Sequence, residues 1–442
     1  MPKWNNWSGW VEANPSAIEY PDNEAALIKI MAQAKGPIRV VGTGHSFTPL
    51  AATDGTLIDL CKLTGFIDLD HEKREATFWG GTPIHQVGRE LHARGFGLIN
   101  QGDIDRQTLA GAVSTGTHGT GIDLGSFSTM VRAVRLVTSS GEVIDASPSK
   151  NNDMFEAARL SLGALGVLSH ITIAVEPAYK LVERGWTMPI MDCFNAIEAL
   201  RTATRHFEFF WFPYADDVIC KSLDATNEPA RPIRDHDQGE MRDPEEDRVR
   251  GMFDLTARFP FLSGPVTRHI TREAGKGKVQ RHAKAGGSVR WSHEAFPSPR
   301  NIKFNEMEWA VPAEAGIDVM REIAAYIRQK SIRVAFPLEF RFVAADEVWL
   351  SPFNGRDSVT IAVHQFHKQD YEEFFDHCET IFRSYEGRPH WGKLHRATEP
   401  DFAMMYPDWP YFQTVRRMLD PQGKMLNDHL ATLFGEAAFV GS

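Results

Sequence analysis

Between residues 95 and 125 the chain carries eight glycines in 31 residues: Gly95, Gly97, Gly102, Gly111, Gly116, Gly119, Gly121 and Gly125, interleaved with threonine and serine. Glycine at that density lets several loop backbones approach one large polar ligand and offer N–H groups to phosphate oxygens and ring carbonyls. A series of tight turns would use the same residues. Two further turns favour the ligand. The β-branched run at 38–41 ends in Gly42-Thr43-Gly44-His45-Ser46, and Leu162-Gly163-Ala164-Leu165-Gly166-Val167-Leu168 sets a third glycine-bearing turn beside apolar strand residues.

Two familiar nucleotide patterns do not apply. A dinucleotide-binding Rossmann loop needs G-x-G-x-x-G, and Phe47 stands where the third glycine must let helix pack on strand. Residues 387–394, G-R-P-H-W-G-K-L, follow the P-loop pattern up to its last position. There Leu394 cannot ligand Mg²⁺, and Pro389 removes an amide from the phosphate cradle.

The 442 residues suggest two or three domains at roughly 150 residues each. Helical spacing at 25–31, a strand at 38–41, a helix at 84–93 and a hairpin through 131–145 predict an α+β domain with glycine-rich loops up to about residue 178. Beyond it the texture turns aromatic, as in H-F-E-F-F-W-F at 206–212. A helix at 313–330 and strands at 337–343 and 359–366 predict a second α+β domain. The charge-dense, apolar-poor stretch 232–250 reads as a solvated mobile loop. No internal repeat is visible.

With 48 Lys and Arg against 58 Asp and Glu the net charge is −10, which argues against generic binding to nucleic acid or anionic membrane. Cys61, Cys193, Cys220 and Cys378 contain no C-x-x-C pair, so a zinc ribbon, an iron–sulfur cluster and a disulfide scaffold are not expected and a reducing compartment fits. The start M-P-K-W-N-N-W-S-G-W lacks a secretory apolar core, and no window approaches ~18 apolar residues. A cytoplasmic protein with no integral membrane segment is expected.

V-G-T-G-H-S-F at 41–47, N-Q-G-D-I at 100–104, G-A-V-S-T-G-T-H-G-T-G at 111–121 and L-G-A-L-G-V-L at 162–168 resemble the successive FAD-binding segments of the vanillyl-alcohol oxidase superfamily. E-F-R at 339–341 and H-W-G-K at 390–393 resemble its aldonolactone oxidase and alditol oxidase branch. The likeness runs from N-W-S-G at 6–9 to P-Q-G-K-M-L-N at 421–427. It implies a two-subdomain FAD domain over 1–178, an α+β cap carrying the substrate site over 179–395, and a C-terminal segment over 396–442 that returns to the flavin. The implied activity is oxidation of an aldono-1,4-lactone of the gulono, galactono or arabinono type by hydride transfer to flavin N5, with oxygen or another electron acceptor. An alditol is the alternative substrate, and a non-redox nucleotide-binding module is a remote one.

The resemblance also assigns residues. The FAD positions fall on Gly42, Thr43, Gly44, His45 and Ser46; on Gln101, Gly102 and Asp103; on Gly111, Ser114, Thr115, Gly116, Thr117, His118 and Gly119; and on Gly163, Gly166 and Val167. His45 corresponds to a histidine that commonly bonds covalently to the flavin 8α-methyl, and a neutral imidazole with glycines beside it suits that role. For His118 a structural and a cofactor-adjacent reading both stand. Glu339 and Arg341 share one strand face by their i, i+2 spacing, with Phe340 and Phe342 on the other. By resemblance they bind substrate, Arg341 through its planar five-donor fork. Lys393 corresponds to an ammonium that stabilises the charge appearing near flavin N1 and the C2 carbonyl. His364 looks like a histidine placed near the substrate hydroxyl as a base. His367 lies at i+3 from it, on the opposite side of a strand, so a shared metal ion is not expected.

Overall fold

The β-branched run Ile38–Val41 forms the expected strand at one edge of a parallel three-stranded sheet, beside Thr56–Asp59 and then Ala17–Glu19. The computed structural model describes residues 2–232, 244–276, 287–297 and 302–437. Helix Glu24–Gln33 begins at Asn23, whose side chain accepts the Ala26 N–H, and buries Leu27 and Met31, one turn apart, in the core below this sheet. A five-stranded antiparallel sheet follows, in the order Val143–Ala146, Val131–Val137, Val167–Ala174, Glu75–Trp79, Phe66–Asp70. Its first two strands are the expected hairpin.

The strand Lys180–Pro189 opens a second, larger layer. Among the described residues this is an eight-stranded antiparallel sheet ordered Ser288–Trp291, Lys180–Pro189, Asp217–Thr226, His206–Trp211, Leu338–Val343, Ser358–Phe366, Phe304–Pro312, Arg388–Pro389. Its central strands are buried on both faces, yet only one face is apolar. Phe209 and Phe340 stack at 4.6 Å between ring centroids on that face, which the helices Ile190–Thr202 and Gly316–Lys330 cover. Alternation then sends Glu208, Glu339 and Arg341 to the other face, the one that meets His118 of the N-terminal layers.

The stretch expected to be a solvated loop is partly a helix. Residues 233–243 lie outside the described residues, but Pro244–Arg258 is helical and pairs with Ser263–Lys276. The apolar stripe Val249, Phe253 and Ala257 packs on a cluster containing Phe304, Phe336 and Phe366. Most of that stripe lies past residue 250, beyond the charged composition that suggested a loop.

The C-terminal segment packs against the first domain. Ile38 N–H donates to the Lys424 carbonyl at 2.7 Å, and Asn427 Nδ2 donates to the carbonyls of Pro49 and Ala52, each at 2.7 Å. Arg39, 2% exposed, spends its guanidinium on four carbonyls, those of Leu50, Leu162, Gly163 and Met425. One side chain thus ties together the 162–168 turn, the chain at Leu50 and the tail.

Candidate active site

Three chain segments build a groove of about 900 Å³. The turn after Ile38–Val41 supplies Gly42, Thr43, Gly44, His45 and Ser46. Helix Leu109–Ser114 and its exit supply Gly111, Ser114 and Thr115, and the 162–168 turn supplies Gly163, Gly166 and Val167. The glycines are required by crowding. A Cβ on Gly42 would stand 2.3 Å from Thr108 Oγ1, and one on Gly166, at φ +140°, would stand 2.4 Å from the Val137 carbonyl oxygen. His45 is half-buried, its ring stacked on Trp7 at 5.8 Å and its Nδ1 3.2 Å from the Thr43 carbonyl. Burial lowers its pKa, so the imidazole is neutral at pH 7.

The groove adjoins a second cavity of about 540 Å³, with Gln107 lining both. Gly102, Asp103, Thr117 and His118 form one wall, and Glu306, Glu308, Glu339, Arg341, His364, His390 and Lys393 form the sheet wall. Sequence assignment thus splits. Asp103 and His118 sit among the charged groups rather than in the glycine groove. Gln101, Gly116 and Gly119 line neither cavity. Gly119 is the point where the 100–103 loop crosses closely, since a Cβ there would stand 2.4 Å from the Gln101 carbonyl oxygen. Gly116 holds φ +69° against Leu160.

On the sheet wall, Glu339 and Arg341 are 4% and 8% exposed. Glu339 Oε1 and Arg341 Nε lie 3.5 Å apart, and both are buried without a hydrogen-bond partner. Buried polar atoms of this kind carry a cost unless a ligand completes them. Ala362 lies opposite both Glu339 and Glu308 in register, and its small side chain leaves the space between them open.

Glu306 and Glu308 were not identified from the sequence. They occupy alternate positions of Phe304–Pro312, and each bridges two cation-forming groups. Glu308 Oε1 lies 2.8 Å from His118 Nε2 and accepts from Arg341 Nη2 at 3.1 Å. Glu306 lies 3.4 Å from His364 Nε2 and pairs with Lys393 Nζ. Burial raises both carboxyl pKa values. Arg341 and His118 outweigh that at Glu308, as Lys393 and His364 do at Glu306, and hold both groups below the ordinary range. His364 Nδ1 lies 2.8 Å from the Pro337 carbonyl. A carbonyl only accepts, so Nδ1 carries a proton and Nε2 is the nitrogen facing the cavity. His367 is not in this cavity.

Glu208 was also missed. It lies opposite both Lys221 and Arg341 in the sheet. Its Oε1 is 2.8 Å from Lys221 Nζ, which is 3.6 Å from Asp103 Oδ1. The carboxylates of Asp103, Glu208 and Glu339 can bring oxygens within 4.8 Å of one another. Burial, aided by Asp103 and Glu339 and opposed by Lys221 and Arg341, pushes Glu208 up to about 7. A carboxyl raised above its unfolded value near 4.5 keeps its proton longer in the folded state, so its destabilising effect grows as pH rises from about 4.5 to 7. Glu208→Gln should therefore gain about 2 kcal/mol on the parent between pH 5.5 and 8 in urea unfolding. Parallel pH profiles for the two proteins would contradict the raised Glu208.

The groove fits FAD by its own features. Glycine backbone lines it in three segments, at Gly42 and Gly44, at Gly111, and at Gly163 and Gly166, where backbone can come close to a large polar ligand. Residues 15–147 match the family model described as FAD binding domain, and residues 171–433 match the one described as D-arabinono-1,4-lactone oxidase. The chain is 36% identical to L-gulono-1,4-lactone dehydrogenase of Mycobacterium tuberculosis (strain ATCC 25618 / H37Rv), with 98% of this chain and 99% of that protein covered. The chain belongs to the aldonolactone oxidase branch of the vanillyl-alcohol oxidase family. It is accordingly an FAD-linked oxidoreductase.

Two further relatives share less of the sequence. L-gulonolactone oxidase of Bos taurus is 29% identical, covering 98% of each chain. Alditol oxidase of a Streptomyces species is 28% identical, covering 97% of this chain and 98% of that one. The fold is shared with a cholesterol oxidase from Brevibacterium sterolicum at a TM-score of 0.83 and 17% identity, covering 98% and 96% of the two chains. Among the described residues no helix is long and apolar enough to cross a membrane.

Proposed function

We propose that this member of the aldonolactone oxidase branch oxidises a CH–OH group of a sugar-derived 1,4-lactone, passing the electrons to oxygen or another acceptor. The observation that carries the reading is the Glu339–Arg341 pair, buried in the wall of a cavity that adjoins the glycine groove, with a carboxylate oxygen and a guanidinium nitrogen that no protein group hydrogen-bonds. FAD bound along Gly42–Ser46, Gly111–Thr115 and 163–167 supplies the hydride acceptor. Arg341 presents N–H donors to a lactone carbonyl or vicinal hydroxyls, and Glu339 accepts from hydroxyls. His364 Nε2 takes the hydroxyl proton as the carbon-bound hydrogen leaves. Glu308, held by His118 and Arg341, fixes the direction of the Arg341 fork. Lys393 lines the second cavity, its turn bonded to the His45 loop by Phe47 N–H to the Gly392 carbonyl at 2.7 Å. A cytoplasmic setting is supported by four cysteines that are all free.

A panel of aldono-1,4-lactones and alditols, assayed in air and with an artificial acceptor, tests the reading. A 1,4-lactone should give the highest kcat/KM. A clear preference for alditols would transfer the assignment to alditol oxidation, and no flavin reduction by either class would refute it.

The neutral His45 beside Gly44 also supports covalent attachment of the flavin. Yellow colour should stay with the chain after acid denaturation, and His45→Ala should fold with releasable flavin. Complete release from the parent protein would show that the flavin is held without a covalent bond.

A further inference from the structure

Lys393 is not an isolated ammonium. Its turn hangs from the strand that carries Glu306, because His390 N–H donates to the Glu308 carbonyl at 2.9 Å and Leu394 N–H donates to the Glu306 carbonyl at 3.0 Å. The Lys393 ammonium lies 5.2 Å from the centre of the Phe47 ring, two residues after His45, and its charge is felt at the His45 ring. The Glu306 carboxylate, 3% exposed, is directly paired with it and also faces His364 Nε2. An anion in contact with a cation cancels much of the field that cation projects onto a third group a few ångströms away. The backbone bonds fix the turn without help from the side-chain pair, so the carboxylate's charge and the turn's position are separable.

We propose that Glu306 is a positioning residue that tunes the flavin's electron affinity, by setting how much of the Lys393 positive charge reaches the ring. This rests on the reading that Lys393 faces the flavin. The carboxylate holds the ammonium in place and attenuates it, keeping the cofactor a weaker oxidant than an unopposed lysine would make it. The sign is what distinguishes charge tuning from simple support: removing the charge raises the reduction potential, whereas losing a mere anchor lets Lys393 swing away and lowers it.

The test measures flavin reduction potential and sulfite affinity in purified holoenzyme, since sulfite adds to flavin N5 more tightly as the ring gains electron affinity. Glu306→Gln, nearly isosteric, should raise the potential and tighten sulfite binding by about tenfold or more. Glu306→Asp, which keeps the charge but draws it back by one methylene, should give a smaller change of the same sign and serves if the glutamine variant does not fold. Lys393→Met should lower the potential and weaken sulfite binding, and the double variant, which also loses the carboxylate's charge, should recover part of that loss. An unchanged or lowered potential in both Glu306 variants, with the Lys393→Met effect intact, overturns the proposal while leaving Lys393 at the flavin. Absence of any effect in Lys393→Met removes Lys393 from the flavin, and the tuning role with it.

Discussion

Lys393→Met should slow anaerobic reduction of the flavin by substrate about a hundredfold or more, the loss expected when one preorganised stabilising group is deleted. Methionine keeps most of the stem volume but lacks the charge. An ammonium against the cofactor would act on the charge that develops during flavin reduction far more than on a bound, uncharged lactone. Stopped-flow dissociation constants should therefore change much less than the rate. The variant also leaves Glu306 facing His364 alone, so part of the loss should be restored in the Lys393→Met/Glu306→Gln double variant. A large affinity loss at an unchanged reduction rate would place Lys393 against the substrate instead.

Arg341 should show the second large effect, and in two separable ways. Arg341→Lys keeps a cation but loses the planar fork that reaches Glu308 and substrate together, so kcat/KM should fall ten- to hundredfold, about 1–3 kcal/mol. Arg341→Met leaves Glu308 and Glu339 buried with one counter-charge fewer, and should cost about 3–5 kcal/mol of stability as well. Denaturant unfolding of the two variants separates these losses. Near-normal kinetics in both Arg341→Lys and Glu339→Gln would take the pair out of the site.

The glycine-bearing turns could be read from sequence because each adjoins an apolar strand, Gly42–Ser46 following Ile38–Val41 and the 162–166 turn leading into Val167–Ala174, a local pattern. The facing of Glu339 and Arg341 was legible for the same reason: strand alternation is local, and two phenylalanines marked the core side. Glu208, Glu306 and Glu308 were not, because their meaning is set by neighbours far away in the chain. Glu308 meets Arg341 across the intervening strand Ser358–Phe366, and His118 from a segment 190 positions earlier in the chain. A signal was nonetheless present in N-E-M-E-W and H-F-E-F-F-W: carboxylates inside otherwise apolar strands are costly unless paired. The helix Pro244–Arg258 was missed by averaging charge over 232–250, which hid a stripe beginning at Val249.

Arg39 has a consequence for the order of events during synthesis. Its guanidinium joins carbonyls near residues 50 and 163 to that of Met425, 386 positions later, so the floor of the flavin groove stays unfinished until the last segment has left the ribosome. Contacts that close so long a loop are entropically expensive and form late. A polypeptide that stops short of Met425 lacks one of the four carbonyls that hold Arg39, so the support beneath the groove is completed last.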